Sequence, residues 1–386
     1  MADDSHPEKK KSKKRRRIGA VLSLVIIAAL AYVTITLASG NEFTALARIR
    51  DVFSNREPIP TADAFYFDVG KHRVFADLGG GIAAAGTLGI QVLDDGGAET
   101  LMEPFRMTSP AISSVGGRAV AYDIGGMEVR VFNETEVVAA LKTQGAIVSA
   151  AINQNGWFCV SEMPDGGGHK SVVTVYDNRG RGAYRAYSGE GYVLSAVLSS
   201  DNKSVAALRL TDAGSEIVFY NLNREDPVGS YELSGGLIFD IRYIGGGSVL
   251  AFSTDGLVVV DRNANGTERY GFEGKRLGGC SADGGFITLH LLDYAVGHSG
   301  QLVTLDERGR VLGELDVNRE VVSVSGKDGR LAVLWSDGLT VYDSELNEIP
   351  ATGEFTALTG LGRVLALSGG TVLVAGDNAA VTFRTD

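Results

Sequence analysis

Hydrophobic and polar positions follow three different patterns along this chain. From Ile18 to Ala38 the sequence reads IGAVLSLVIIAALAYVTITLA, twenty-one residues without a charge. The run is apolar on every face, and at ~1.5 Å per residue it spans about 30 Å, the thickness of a bilayer's hydrocarbon core. It predicts a transmembrane helix over 18–38. Phe43, Leu46, Ile49, Val52 and Phe53 then recur at spacings of three and four, with Arg48, Arg50 and Asp51 among them. That spacing predicts a short amphipathic helix, which could lie on the membrane surface or dock against the following domain. Pro58 and Pro60 end it and form a stiff hinge. Beyond residue 61 the helical period disappears. Apolar or alternating runs of four to seven residues are broken by Gly, Asp and Asn, the pattern of an all-β fold.

The β region repeats itself. A short apolar strand ending in Asp or Asn appears as GIQVLD at Asp94, EVRVFN at Asn133, VVTVYD at Asp177 and EIVFYN at Asn221. It continues as LVVVD at Asp261, QLVTLD at Asp306, LTVYD at Asp343 and a degenerate TVLVAG at Gly376, in steps of 33 to 45 residues. Most copies follow a second apolar strand, as in GRAVAYDIGG from Gly117, GSVLAFSTDG from Gly247, GRLAVLWSDG from Gly329 and GRVLALSGG from Gly362. Before that lies a strand of small residues, as in AISSVGG, VVSVSGKDG and FTALTGLG, with tight turns at Gly116-Gly117, Asp328-Gly329 and Gly360. Asp255-Gly256 and Asp337-Gly338 are read as two-residue hairpins that need positive φ. Three strands plus a variable fourth in about 40 residues is the size of one propeller blade. The fold predicted for 61–386 is an all-β propeller. Eight blades are expected, or seven if the degenerate last copy completes the first blade.

Composition supports many tight turns: 51 Gly but only 8 Pro. Net charge is -11, and it is unevenly spread. Residues 1–17 carry eight Lys/Arg, from Lys9 to Arg17, against Asp3, Asp4 and Glu8, so the tail is +5 and the remainder -16. A basic cluster before a span keeps the N-terminus cytoplasmic and is drawn to anionic lipid. A cleaved signal peptide with a site near Ala38-Ser39 is the alternative, though its apolar core would be shorter than this run. The expected order is a basic cytoplasmic tail (1–17), a span (18–38), a juxtamembrane helix and hinge (39–60) and an extracytoplasmic propeller (61–386). The acidity of the globular part argues against nucleic acid as a partner.

Candidate chemistry is sparse. His6, His72, His169, His290 and His298 show no metal-ligand spacing, and His290, within FITLHLL, reads as a packed strand residue. Cys159 and Cys280 fall in different repeats and read as unpaired thiols. The run from Asp261 to Gly266 matches half of a calcium loop, but Phe272 stands where a bidentate Glu belongs. Gly79–Gly81, Gly166–Gly168 and Gly245–Gly247 read as turns, and Trp157 and Trp335 as second-strand residues packed between blades. No catalytic, cofactor or metal residue is assigned.

The order of tail, span, short helix and Gly-rich repeat, with its φxVYD(x)G-type blades, resembles an uncharacterised single-span, propeller-like family of anaerobic Gram-positive bacteria, domain of unknown function 5711. The blade pattern also resembles WD40-like and quinoprotein-like propellers of envelope assembly factors. The quinoprotein enzymes among these carry a tryptophan-rich docking motif, and the two tryptophans here cannot supply it. Two functions fit. One is a non-enzymatic binding or scaffold module that holds an envelope protein, peptide or glycan at a propeller face. The other is an extracytoplasmic hydrolase or lyase with its site at the pore mouth. Converging carboxylates, His and Arg at that mouth would favour the enzyme, and an apolar or aromatic patch would favour binding.

Overall fold

A computed structural model describes residues 64–385, apart from 234, 235, 245, 246, 284, 295, 354, 356, 357 and 378. The expected tail, span, juxtamembrane helix and hinge lie outside the described residues. Among those described, no helix is long and apolar enough to cross a membrane.

The β region forms eight antiparallel sheets, seven of them built from four consecutive strands. Blades 1 to 7 occupy 74–104, 110–142, 145–188, 192–232, 238–271, 276–317 and 321–349. Blade 8 has Arg363–Ala366 innermost, then Thr371–Ala375 and Ala380–Thr385. Its outer edge is completed by strands from elsewhere. Ala64–Phe65 pairs with Val381 and Ala380, and Ala351–Thr352 pairs with Thr385 and Arg384. The first described strand therefore closes the ring onto the last.

The core explains why the second and third strands are continuously apolar. Each blade is covered on both faces, so alternate residues point into opposite blade-to-blade interfaces. In the second strand of blade 2, Ala119 and Ala121 pack toward blade 1, while Val120 and Tyr122 pack toward blade 3. Eight hydrophobic clusters result, each shared by one adjacent pair of blades, and the cluster of Phe65, Phe75, Ile82 and Leu373 joins blade 8 to blade 1. Fourth strands are half-covered and do alternate, as in Val137–Lys142. Small residues dominate several innermost strands, such as Pro110–Val115 and Val321–Lys327.

The mouth of the central channel at the first-to-second turns is tied across the closure. Lys327 Nζ, from blade 7, lies 3.2 Å from the Asp77 carboxylate of blade 1. Ser368 of blade 8 donates a hydrogen bond to the same carboxylate at 3.0 Å.

Four expectations are corrected. TVLVAG is the second strand of blade 8, not the third. The third is Ala380–Thr385, and measuring from Asp343 to its end restores a step of roughly 40 residues. The described residues of FTALTGLG lie in no strand. Among them, Phe355, Leu358 and Leu361 pack against the blade 7–blade 8 cluster, and RVLA takes the innermost place. Turns at Gly116-Gly117 and Asp328-Gly329 do have positive φ, but those at Asp255-Gly256 and Asp337-Gly338 do not. Gly256 is required for another reason: a Cβ there would lie 2.4 Å from the Tyr270 carbonyl oxygen of the neighbouring strand. Trp335 ends a second strand and is buried, whereas Trp157 sits one residue before its own.

Candidate binding face

Antiparallel order places the first-to-second and third-to-fourth turns at one end of every blade, here called the lower face. Second-to-third turns and blade crossings lie at the other end, the upper face. The two faces are built from different chemistry.

On the lower face one device repeats through seven blades. The residue at or just past the end of the third strand turns its side-chain oxygen back onto the next backbone N–H groups, an Asx turn. Asp94 accepts from Gly96 and Ala98, Asn133 from Thr135 and Glu136, Asp177 from Arg179 and Arg181, and Asn221 from Asn223. Asp261, Asp306 and Asp343 accept in the same way from residues two and four positions on. Backbone amide donors hold the Asp261 and Asp306 carboxyls below the usual carboxylate range, and at Asp343 the Asn347 side chain contributes first.

This accounts for the calcium-like stretch. The Asp261 carboxylate is engaged by the Asn263 and Asn265 amides and the Asn265 side chain. The left-handed residue of the turn is Ala264, and Gly266 is instead required by the Tyr231 ring, since a Cβ there would lie 2.1 Å from the ring's Cε2. Among the described residues no group of three His, Cys, Asp or Glu could hold a metal ion.

The upper face is irregular and leaves several large apolar side chains exposed among its polar ones. Leu88 and Ile124 stand exposed in the second-to-third turns of blades 1 and 2, and Tyr294 and Val296 are 71% and 89% exposed in that of blade 6. Tyr192 opens the innermost strand of blade 4, Phe239 is the second residue of that of blade 5, and they are about half exposed, at 49% and 46%. Among the described residues, none of the large apolar side chains exposed by more than a third lies in a lower-face turn. Those away from the upper face and channel run along the fourth strands.

The backbone helps present this surface. In blades 3 to 7 the innermost strand slips by one residue against the second, at Val148, Leu194, Phe239, Gly278 and Val322. Blades 1, 2 and 8 pair without a slip. A bulge kinks its strand and re-aims the extra side chain, so an arc of apolar residues forms at the upper channel mouth. Gly278 interrupts the arc because a Cβ there would lie 2.8 Å from His290 Nδ1. A recess of about 690 Å³ opens beside it, lined by Phe239, Asp255, Lys275, Arg276 and Leu277. Beside the arc, His169 and Tyr187 lie 4.8 Å apart and Lys170 sits 5.5 Å over the Tyr192 ring.

Among the described residues the candidate histidines and cysteines are dispersed rather than assembled. His290 is buried between blades 6 and 7, with no hydrogen-bond partner at Nε2, and burial lowers its pKa. Cys159, in blade 3, is buried, and desolvation pushes its thiol up to about 12. Cys280 is in blade 6, and both are free thiols. Arg242 in the innermost strand of blade 5 contacts Asp240 and Asp283. Burial opposes its charge, but the two carboxylates outweigh that and hold it protonated. The bulges and the aromatic cluster were not legible in the sequence, since one extra residue in a strand leaves no mark in an unaligned chain.

A family model described as "Family of unknown function (DUF5711)" matches residues 66–356. The chain belongs to this family. No curated protein matches it. Among solved structures, BamB from Moraxella catarrhalis is similar with a TM-score of 0.53 and 14% identity, over 84% of this chain and 97% of that one. The quinohemoprotein alcohol dehydrogenase ADHIIG from Pseudomonas putida HK5 is similar with a TM-score of 0.51 and 12% identity, over 84% and 76%. At such identities the likeness is one of fold.

Proposed function

We propose that this DUF5711 protein is a membrane-anchored, extracytoplasmic, non-enzymatic binding module whose upper propeller face holds an envelope protein, peptide or glycan. The observation that carries the reading is the concentration of exposed apolar and aromatic side chains on that face and at its channel mouth, around Tyr192, Leu194 and Phe239. Exposed apolar patches mark interaction sites, and Tyr, Phe and Met are favoured interface residues. The propeller likeness to BamB fits a scaffold role. The anchor rests on the uncharged run Ile18–Ala38 and the basic cluster before it, which set the N-terminus in the cytoplasm against anionic lipid. The acidic exterior fits no nucleic-acid role.

The test is capture by the purified full-length chain from cell-envelope extract, alongside glycan and peptide arrays. A saturable partner released chemically unaltered, and lost when Tyr192→Asp and Phe239→Asp are combined, is the expected result. A partner that comes off cleaved or modified would instead make the chain an extracytoplasmic hydrolase or lyase. A partner that the double variant retains would remove the upper face from the proposal.

A further inference from the structure

We propose that blade 7 carries an unfinished sheet edge that takes an extended polypeptide of a partner as an added β-strand. The third strand of this blade is Gly338–Asp343, yet its fourth strand, Glu348–Ile349, pairs only with Val341 and Tyr342. In blades 1 to 6 the fourth strand follows the third nearly end to end. Here the chain leaves early, turns at Pro350, and gives Ala351–Thr352 to the edge of blade 8. Among the described residues no strand pairs with the outer edge of Gly338, Leu339 or Thr340. All three are half-buried, whereas the first three residues of the matching strands in blades 1, 3 and 5 are buried. An uncovered row of N–H and C=O groups is a template for strand addition.

The surroundings define the chemistry of the added strand. Leu339 packs toward the blade 7–blade 8 cluster with Phe355, Leu358 and Leu361. A recess of about 550 Å³ lies there, lined by those three residues together with Val322, with Glu320 and Asp337 also on its wall. A side chain directly opposite Leu339 on an added strand shares its sheet face, so an apolar residue at that place enters the recess. Asp337 is held by Arg319, which lies 4.6 Å over the Trp335 ring. Glu320 is exposed and makes no ion pair among the described residues. The occupant is therefore an extended segment with alternating apolar residues and a flanking Lys or Arg. This site uses neither Tyr192 nor Phe239, so it stands or falls apart from the upper-face reading.

The experiment uses the full-length chain and the acetylated, amidated model peptide KVTVTVK. Saturable binding is expected, with amide exchange at residues 338–340 slowed about tenfold at saturation. Replacing both peptide lysines by Glu is expected to weaken binding at least about fivefold, and Glu320→Gln to shrink that difference. Methylating alternate peptide nitrogens should abolish binding, because it removes strand donors while leaving the protein unchanged. Leu339→Pro should do the same from the protein side, and the methylated peptide and Glu320→Gln keep the test sound if that proline damages the fold. The proposal is overturned by lack of saturable binding up to about 1 mM peptide, by slowed exchange elsewhere than 338–340, or by equal binding of the methylated peptide. Concentration-dependent protection of 338–340 in the peptide-free chain would also overturn it, since a second copy would then be the occupant.

Discussion

The two faces of the propeller are made from the same 40-residue unit and yet differ in kind. The lower face repeats one solution seven times, a carboxylate or amide oxygen folded onto backbone N–H groups. Its side chains are occupied with holding their own turns. The upper face is less regular: turns vary in length, the inner strands bulge in blades 3 to 7 but not in blades 1, 2 and 8, and large apolar residues are left in water. A turn whose polar groups satisfy one another has little left for a partner, while exposed rings and aliphatic chains gain from being covered. In the proposed reading the regular face is scaffold and the irregular one the surface for binding.

That contrast is open to attack from both sides. The largest expected effect is on binding: Tyr192→Asp with Phe239→Asp should reduce affinity for the captured partner at least about 100-fold while leaving the urea midpoint within error, since hot-spot truncations cost about 2 kcal/mol or more each. A fall in midpoint with binding intact would assign these residues to the core instead.

Next is Lys327→Met at the lower mouth. It strands the largely buried Asp77 carboxylate and should cost about 1–3 kcal/mol in equilibrium unfolding, with partner affinity unchanged. Asn133→Ala removes one lower-face acceptor of two backbone N–H groups and should cost about 1 kcal/mol by the same measurement.

The smallest effect is one of pH. Asp261, Asp306 and Asp343 have folded pKa values depressed below the ordinary carboxylate value of about 3.9. Their contribution is complete above that value and is lost as pH falls through the depressed ones. Changing all three to Asn keeps an acceptor in each turn, as blades 2 and 4 already do, and should flatten the stability profile below about pH 4 without altering it near neutrality. An unchanged acid slope would show that these turns are not what titrates.

Much of the architecture was legible because local chemistry repeats. The Asp or Asn closing each third strand announces its turn, and a strand buried on both faces must be apolar throughout, so EVRVFN and EIVFYN marked their blades directly. The phase was lost only in blade 8, where the apolar TVLVAG reads as the third strand although Asp386 follows the true one, Ala380–Thr385, and where the outer edge comes from Ala64–Phe65, some three hundred residues earlier in the chain. The calcium-like Asp261 stretch could be set aside from its repeat partners before any geometry was known. The binding face was barely legible, because exposure is decided by what packs against a residue. Nothing beside Tyr192 in the sequence distinguishes it from Tyr220, which is buried between blades 3 and 4.

What the sequence determined by itself, then, is the strand period, the polar turns and the two-sided burial, since each follows from contacts within one blade or from the periodicity of a strand. The closure of the ring, the slips that aim Leu194 and Phe239 at the channel mouth, and the early departure that uncovers Gly338–Thr340 were decided only by tertiary structure. Each depends on pairing between residues whose partners are set by the whole ring, and no local pattern of hydrophobic and polar residues encodes which edge a strand will finally join.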